Sequence, residues 1–187
     1  MSDYGEKIGN ALRAVRHMHS DASKLLQDCD GTIGKGKPSV YGSYATRDLT
    51  YCVRATQYMA EGLYRLYDAS EEQPGLVEGV MIYFIDDKFQ SDEPVLIVGQ
   101  LKYHIEQDTP IKNVSKEWDL WHAFFGWSEN QKLDEVLTPA SRDTDRIEWL
   151  KVIAAPLYTI QKMECVEKLM ERVREHNVSE TVLWEKE

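Results

Sequence analysis

The feature that most constrains this chain is an apolar stripe in its first thirty residues. Ile8, Ala11, Leu12, Val15, Met18, Ala22, Leu25, Leu26 and Cys29 recur at spacings of three and four. On a helical wheel they fall in one arc of about 140°, the pattern of a helix with a single buried face. Arg13, Arg16, Asp21, Lys24 and Gln27 occupy the other face. A helix from about Tyr4 to Cys29 is therefore predicted, and something must cover its stripe.

The first candidate cover lies just downstream. Residues 30–45, DGTIGKGKPSVYGSYA, are broken by glycine and proline and read as a loop. A second helix is expected from about Thr46 to Tyr67, with Thr46 as N-cap and Asp48 in the first turn. Its apolar face would be Leu49, Cys52, Val53, Thr56, Met59, Ala60, Leu63 and Leu66. The two helices would pack as an antiparallel pair.

After SEEQPG at 70–75 the period changes. LVEGVMIYFI (76–85) and VLIVGQLKYHI (95–105) are rich in β-branched and aromatic residues, with a polar link between them, and predict an antiparallel hairpin. Their apolar centres are nearly continuous, so both faces of the hairpin would be covered. A short aromatic helix is expected from about Lys116 to Trp127. Arg146–Ile160 fits a third strand better than a helix, because Pro156 would break a helix interior and suits a sheet edge or bulge. The alternative is a helix ending near Ala155. A closing helix spans about Lys162 to His176, and TVLWEKE at the end suits a short strand. The expectation is one α+β domain over 1–187: an N-terminal antiparallel helix pair, a small antiparallel sheet made of a hairpin plus a third strand, an aromatic helix and a C-terminal helix.

Charge and cysteine usage narrow the function. The 32 acidic and 22 basic residues give a net charge of −10, which disfavours nucleic-acid backbones as partners. The three cysteines, Cys29, Cys52 and Cys165, are widely spaced and lie on apolar helix faces, so buried thiols in a reducing, cytoplasmic compartment are expected rather than disulfides or structural zinc. No apolar run approaches the ~18 residues of a membrane span, so no membrane partner is expected.

Two stretches resemble catalytic motifs. Gly31-x-x-x-x-Gly36-Lys37 has the glycine spacing of a phosphate-binding loop, but Pro38 replaces the hydroxyl residue that would hold magnesium, and a helix precedes it where a strand is required. What survives is a weak anion contact through Lys35 and Lys37. Gln100-Leu101-Lys102 resembles the acid-x-lysine pair of metal-dependent nucleases on a strand, and alternation puts both residues on one face. A hairpin turning near Ser91–Asp92 would set Gln100 opposite Tyr83 and Lys102 opposite Met81. Asp86, the upstream acid, would then lie roughly 10 Å away, and Glu78 would also be distant. The histidines offer no ligand spacing: His17 and His19 point to different sides of their helix, and His104, His122 and His176 stand apart. No metal and no cofactor is expected.

The densest feature is WDLWHAFFGW at 118–127. Trp118, Trp121, Phe124, Phe125 and Trp127 serve either to cap the sheet or to form a partner surface, since such residues dominate interface hot spots. Tyr41, Tyr44, Tyr51, Tyr58, Tyr64 and Tyr67, with Arg47, Arg54 and Arg65, form a second set that would line a groove beside the second helix. These readings favour a non-catalytic interaction or accessory module whose partner is another protein or another copy. A nuclease using Asp86, Gln100 and Lys102, and an anion- or nucleotide-binding module using Lys35 and Lys37, are the alternatives.

Overall fold

The computed structural model describes residues 2–35, 40, 62–69, 73–84, 93–106, 109–116, 118–128, 131–139 and 141–177. Helix α1 runs from Ser2–Thr32. Strands β1 (Gly62–Asp68), β2 (Leu76–Tyr83) and β3 (Val95–Tyr103) follow, then the short helix α2 (Ile111–Val114). Helix α3 (Asp119–Trp121) continues as a π-helical turn, His122–Gly126. Strand β4 (Ile147–Pro156), a 3-10 turn at Leu157–Thr159 and helix α4 (Met163–Glu175) complete the described chain.

The strands form a four-stranded antiparallel meander in the order β1-β2-β3-β4. The α+β class holds, and two of its details change. The second helix does not extend to Tyr67, because Gly62–Asp68 is the edge strand β1 and gives the sheet a fourth strand. Residues 46–61 of that expected helix lie outside the described residues. The difference has a physical cause. Leu63 to Tyr67 are buried on both faces, and a strand buried on both faces loses the alternation that separates it from a helix. Arg146–Ile160 supplies β4, and Pro156 is its last residue, on the opposite edge of the sheet where a missing N–H costs no ladder bond.

The central strands are apolar on both sides, so both faces are covered. On one face Val80, Ile82, Leu96, Val98 and Ile153 pack against Ala22, Leu26 and Cys29 of α1 and Val166, Met170 and Val173 of α4. On the other, Met81, Ile97, Leu101 and Val152 pack against Ile111, Leu120, Ala123, Phe124 and Phe125. Leu120 reaches the sheet through a dimple made by two facing glycines, Gly79 and Gly99. A Cβ on Gly79 would sit 2.7 Å from Leu120 Cδ1 and 2.6 Å from Leu66 Cδ2. A Cβ on Gly99 would meet Leu120 Cδ2 at 2.8 Å and also the Lys151 carbonyl oxygen at 2.8 Å. The first clash involves side-chain ends that can turn; the second involves backbone that cannot. Gly99→Ala should therefore cost more than Gly79→Ala, within about 1–3 kcal/mol for overpacking. Urea denaturation should show Leu120→Ala partly rescuing Gly79→Ala and failing to rescue Gly99→Ala. Equal rescue of both would contradict the dimple.

Candidate functional site

The sheet places a polar row under the C-terminal end of α4. Tyr67, Glu78, Gln100 and Lys151 stand in register across all four strands and share one face. Gln100 Nε2 donates to Glu78 Oε1 at 2.9 Å. Arg174 of α4 binds the same carboxylate in bidentate fashion, at 2.7 and 2.6 Å. Lys151 Nζ donates to the carbonyls of Arg174 and His176, the negative end of α4. The Glu78 hydrogen bond raises the Arg174 pKa against the opposing effect of burial. Burial lowers that of Lys151, with Glu78 opposing. At the other end of the row, Tyr67 Oη donates to Asp30 of α1 at 2.7 Å, and Arg65 lies 3.4 Å from the same carboxylate. Burial and then this hydrogen bond push the Tyr67 phenol upward. Burial and then the charges of Asp30 and Asp28 push the Cys29 thiol up to about 12.

This geometry corrects the expected register. Gln100 faces Glu78 rather than Tyr83, and Lys102 faces Leu76 rather than Met81, because Tyr83 pairs with Val95 and residues 84–94 form the connection. Strands apolar on both faces do not fix register by alternation. Here the facing glycines and the Glu78–Gln100 bond do so. Glu78, judged distant from the sequence, is thus the direct partner of Gln100. Lys102 lies on the same face and donates from Nζ to the Pro74 carbonyl at 2.6 Å. Asp86 lies outside the described residues. Among the described residues, no group of three or more His, Cys, Asp or Glu side chains could hold a metal ion.

A second buried network anchors the aromatic segment. Asp119 accepts two bonds from Arg146, at 2.6 and 2.7 Å, one from Tyr103 Oη at 2.6 Å and one from the Lys116 backbone N–H at 2.7 Å. Burial opposes the charge on Arg146, but Asp119 more than compensates and raises its pKa. Burial likewise pushes Asp143 upward, but its hydrogen bond from Arg146, with the nearby charges of Arg146 and Lys116, holds it below the usual carboxylate range. Phe124 and Phe125 are only 0% and 2% exposed and belong to the sheet core. Trp118, Trp121 and Trp127 are half-buried, and His122 stacks on Trp127 with ring centroids 5.5 Å apart. The expected partner surface is therefore divided, with the phenylalanines inward and the tryptophans at the boundary.

The remaining expected residues separate. Gly31 lies inside α1, and Lys35, exposed with φ 51°, follows the C-terminal end of that helix, where the dipole favours cations over anions. Lys37 lies outside the described residues. Tyr64 and Tyr67 face opposite sides of the sheet, so they do not line one groove. Tyr41, Arg47, Tyr44, Tyr51, Arg54 and Tyr58 are outside the described residues. The His19 ring packs at 5.2 Å on Phe84.

Among the described residues, helix α1 carries an apolar face that is only partly buried. Its stripe is covered from Ala22 to Ile33, yet Tyr4, Ile8 and Leu12 are 78%, 61% and 64% exposed. Where the covered part begins, Met18, Ala22 and Leu25 form one wall of an open groove of about 650 Å³, with Leu157, Ile160 and Met163 opposite and Asp21 on the rim. No described helix is long and apolar enough to cross a membrane. Comparison with known protein families, curated proteins and solved structures finds no match for this chain.

The polar row makes a quantitative prediction. Removing Arg174 leaves Glu78 buried without its counter-charge. Such a loss costs about 3–5 kcal/mol for a fully buried pair. Because Arg174 is 39% exposed, about 2 kcal/mol is expected here. Glu78→Gln with Arg174→Met should recover most of that loss, as read by denaturant midpoints. A double variant as unstable as the sum of its parts would show that the pair does not act as a unit.

Proposed function

We propose that this chain is a non-catalytic protein-interaction module that docks through the first half of α1. The observation that carries this reading is the apolar stripe at Tyr4, Ile8 and Leu12, exposed among the described residues and continuous with the stripe that packs on the sheet. An exposed apolar surface on a rigid element marks an interaction site more often than it serves folding. The charged groups that invite a catalytic reading are engaged in structural contacts. Glu78 is held by Gln100 and Arg174, and Lys151 holds the end of α4. The half-buried Trp118, Trp121 and Trp127 are a secondary candidate surface, and an accessory role for the whole chain agrees with both.

One experiment separates docking from folding. In dilute protein, Ile8→Glu together with Leu12→Glu should leave the denaturation midpoint within about 0.5 kcal/mol of the parent, as for surface positions. A loss above about 2 kcal/mol, the scale of a buried leucine, would make the stripe part of the monomer core and end the docking reading. In parallel, nucleic acid incubated with magnesium or manganese should remain intact. Cleavage abolished by Lys102→Ala in a still-folded protein would revive the nuclease alternative, because Glu78, Gln100 and Lys102 do share a face.

A further inference from the structure

Resting on that docking reading, we propose that the occupant of the α1 stripe is a second copy of this chain, its α1 packed antiparallel about a two-fold axis near Arg13. The stripe is self-complementary in that arrangement. The residues fall into a strict heptad, with Ile8, Val15 and Ala22 at one core position and Tyr4, Ala11 and Met18 at the other. An antiparallel pair centred at Arg13 sets Ile8 against Met18 of the second copy and Ala11 against Val15, and brings Tyr4 level with Ala22, which is already buried in its own chain. Every contact occurs twice, as an isologous interface requires.

Three features outside the core positions fit this register. Leu12, 64% exposed in the single chain, meets its own symmetry mate. On the opposite flank Ala14 meets Ala14, so the helices can approach closely, and Lys7 faces Asp21 of the second copy in two equivalent ion pairs. Asp21 stands on the rim of the open groove, and Met18, Ala22 and Leu25 form its wall. Tyr4 of the second copy is therefore delivered to the mouth of an apolar groove, beside the acid that receives Lys7.

The glycine at position 5 gains a reason from the same register. A glycine inside a helix costs roughly 1 kcal/mol relative to alanine. A Cβ there would meet nothing within 4 Å, so no contact among the described residues requires it. In the antiparallel pair, Gly5 lies across from His19, whose ring is already held against Phe84.

Sedimentation or light scattering across a hundred-fold dilution of the full chain is the test. The expected result is a species of twice 21.6 kDa that dissociates on dilution. Lys7→Asp alone and Asp21→Lys alone should each weaken it about tenfold, since two pairs become repulsive. The double variant should return to within about threefold of the parent, which only a register pairing these two residues allows. Leu12→Glu should leave a folded monomer. Absence of rescue, or a dimer indifferent to Leu12→Glu, overturns the pairing. A monomer at every concentration overturns it as well, and the dilute-protein stability of the Ile8 and Leu12 variant then distinguishes two cases. Unchanged stability leaves a docking stripe for a different protein, whereas lost stability means the chain covers its own stripe and both readings fall.

Discussion

The organisation of this protein follows from one constraint: its two central strands are apolar on both faces. A sheet of that kind cannot present either side to water, so helices must cover both. One layer comes from the C-terminal half of α1 together with α4, and the other from residues 111–125. The second layer comes close because Gly79 and Gly99 remove the side chains that would hold Leu120 away. Helix α1 is also longer than any strand of the sheet. Thirty-one helical residues extend about 46 Å, whereas a strand of nine residues extends about 30 Å. Ala22, Leu26, Cys29 and Ile33 pack on the sheet, whereas Tyr4, Ile8 and Leu12 at the start of α1 are exposed.

The same constraint accounts for the buried polar groups. A row containing Glu78, Gln100 and Lys151 in an otherwise apolar face would be costly unless each group were matched. Arg174 and the last carbonyls of α4 provide the match, so the row fixes where α4 ends on the sheet. Asp119, Arg146 and Tyr103 act similarly on the other side, joining the start of α3 to the end of β3 and the start of β4. Two charged clusters in an acidic protein thus serve as positioning contacts. The Gln100-x-Lys102 pair resembles a catalytic motif because strand alternation aligns any such residues, whatever their role.

Much of this was legible from the chain alone. The period of three and four marked α1 and α4, and the apolar runs marked β2, β3 and β4, because these patterns are local. The aromatic segment was legible as a helix, but its division into inward phenylalanines and boundary tryptophans depends on Asp119 and the π-helical turn. Strand β1 was hidden, since Leu63 and Leu66 satisfy a helical spacing as well as a strand buried on both faces. Register was hidden for the same reason. The Glu78–Arg174 pair was invisible because its partners lie 96 residues apart and nothing local in either marks the other. The exposed half of α1 was also unreadable: the stripe is uniform in sequence, and only the extent of the sheet reveals where its cover stops.

On our proposal, α1 has two halves with different tasks, one folding the monomer and one joining two copies. Amide hydrogen exchange along α1, measured in dilute and in concentrated protein, tests it most directly. The account predicts that residues 4–15 gain protection with concentration, while residues 22–32 are strongly protected at both. Equal protection of both halves at every concentration would contradict it, as would an N-terminal half that exchanges rapidly however concentrated the protein becomes.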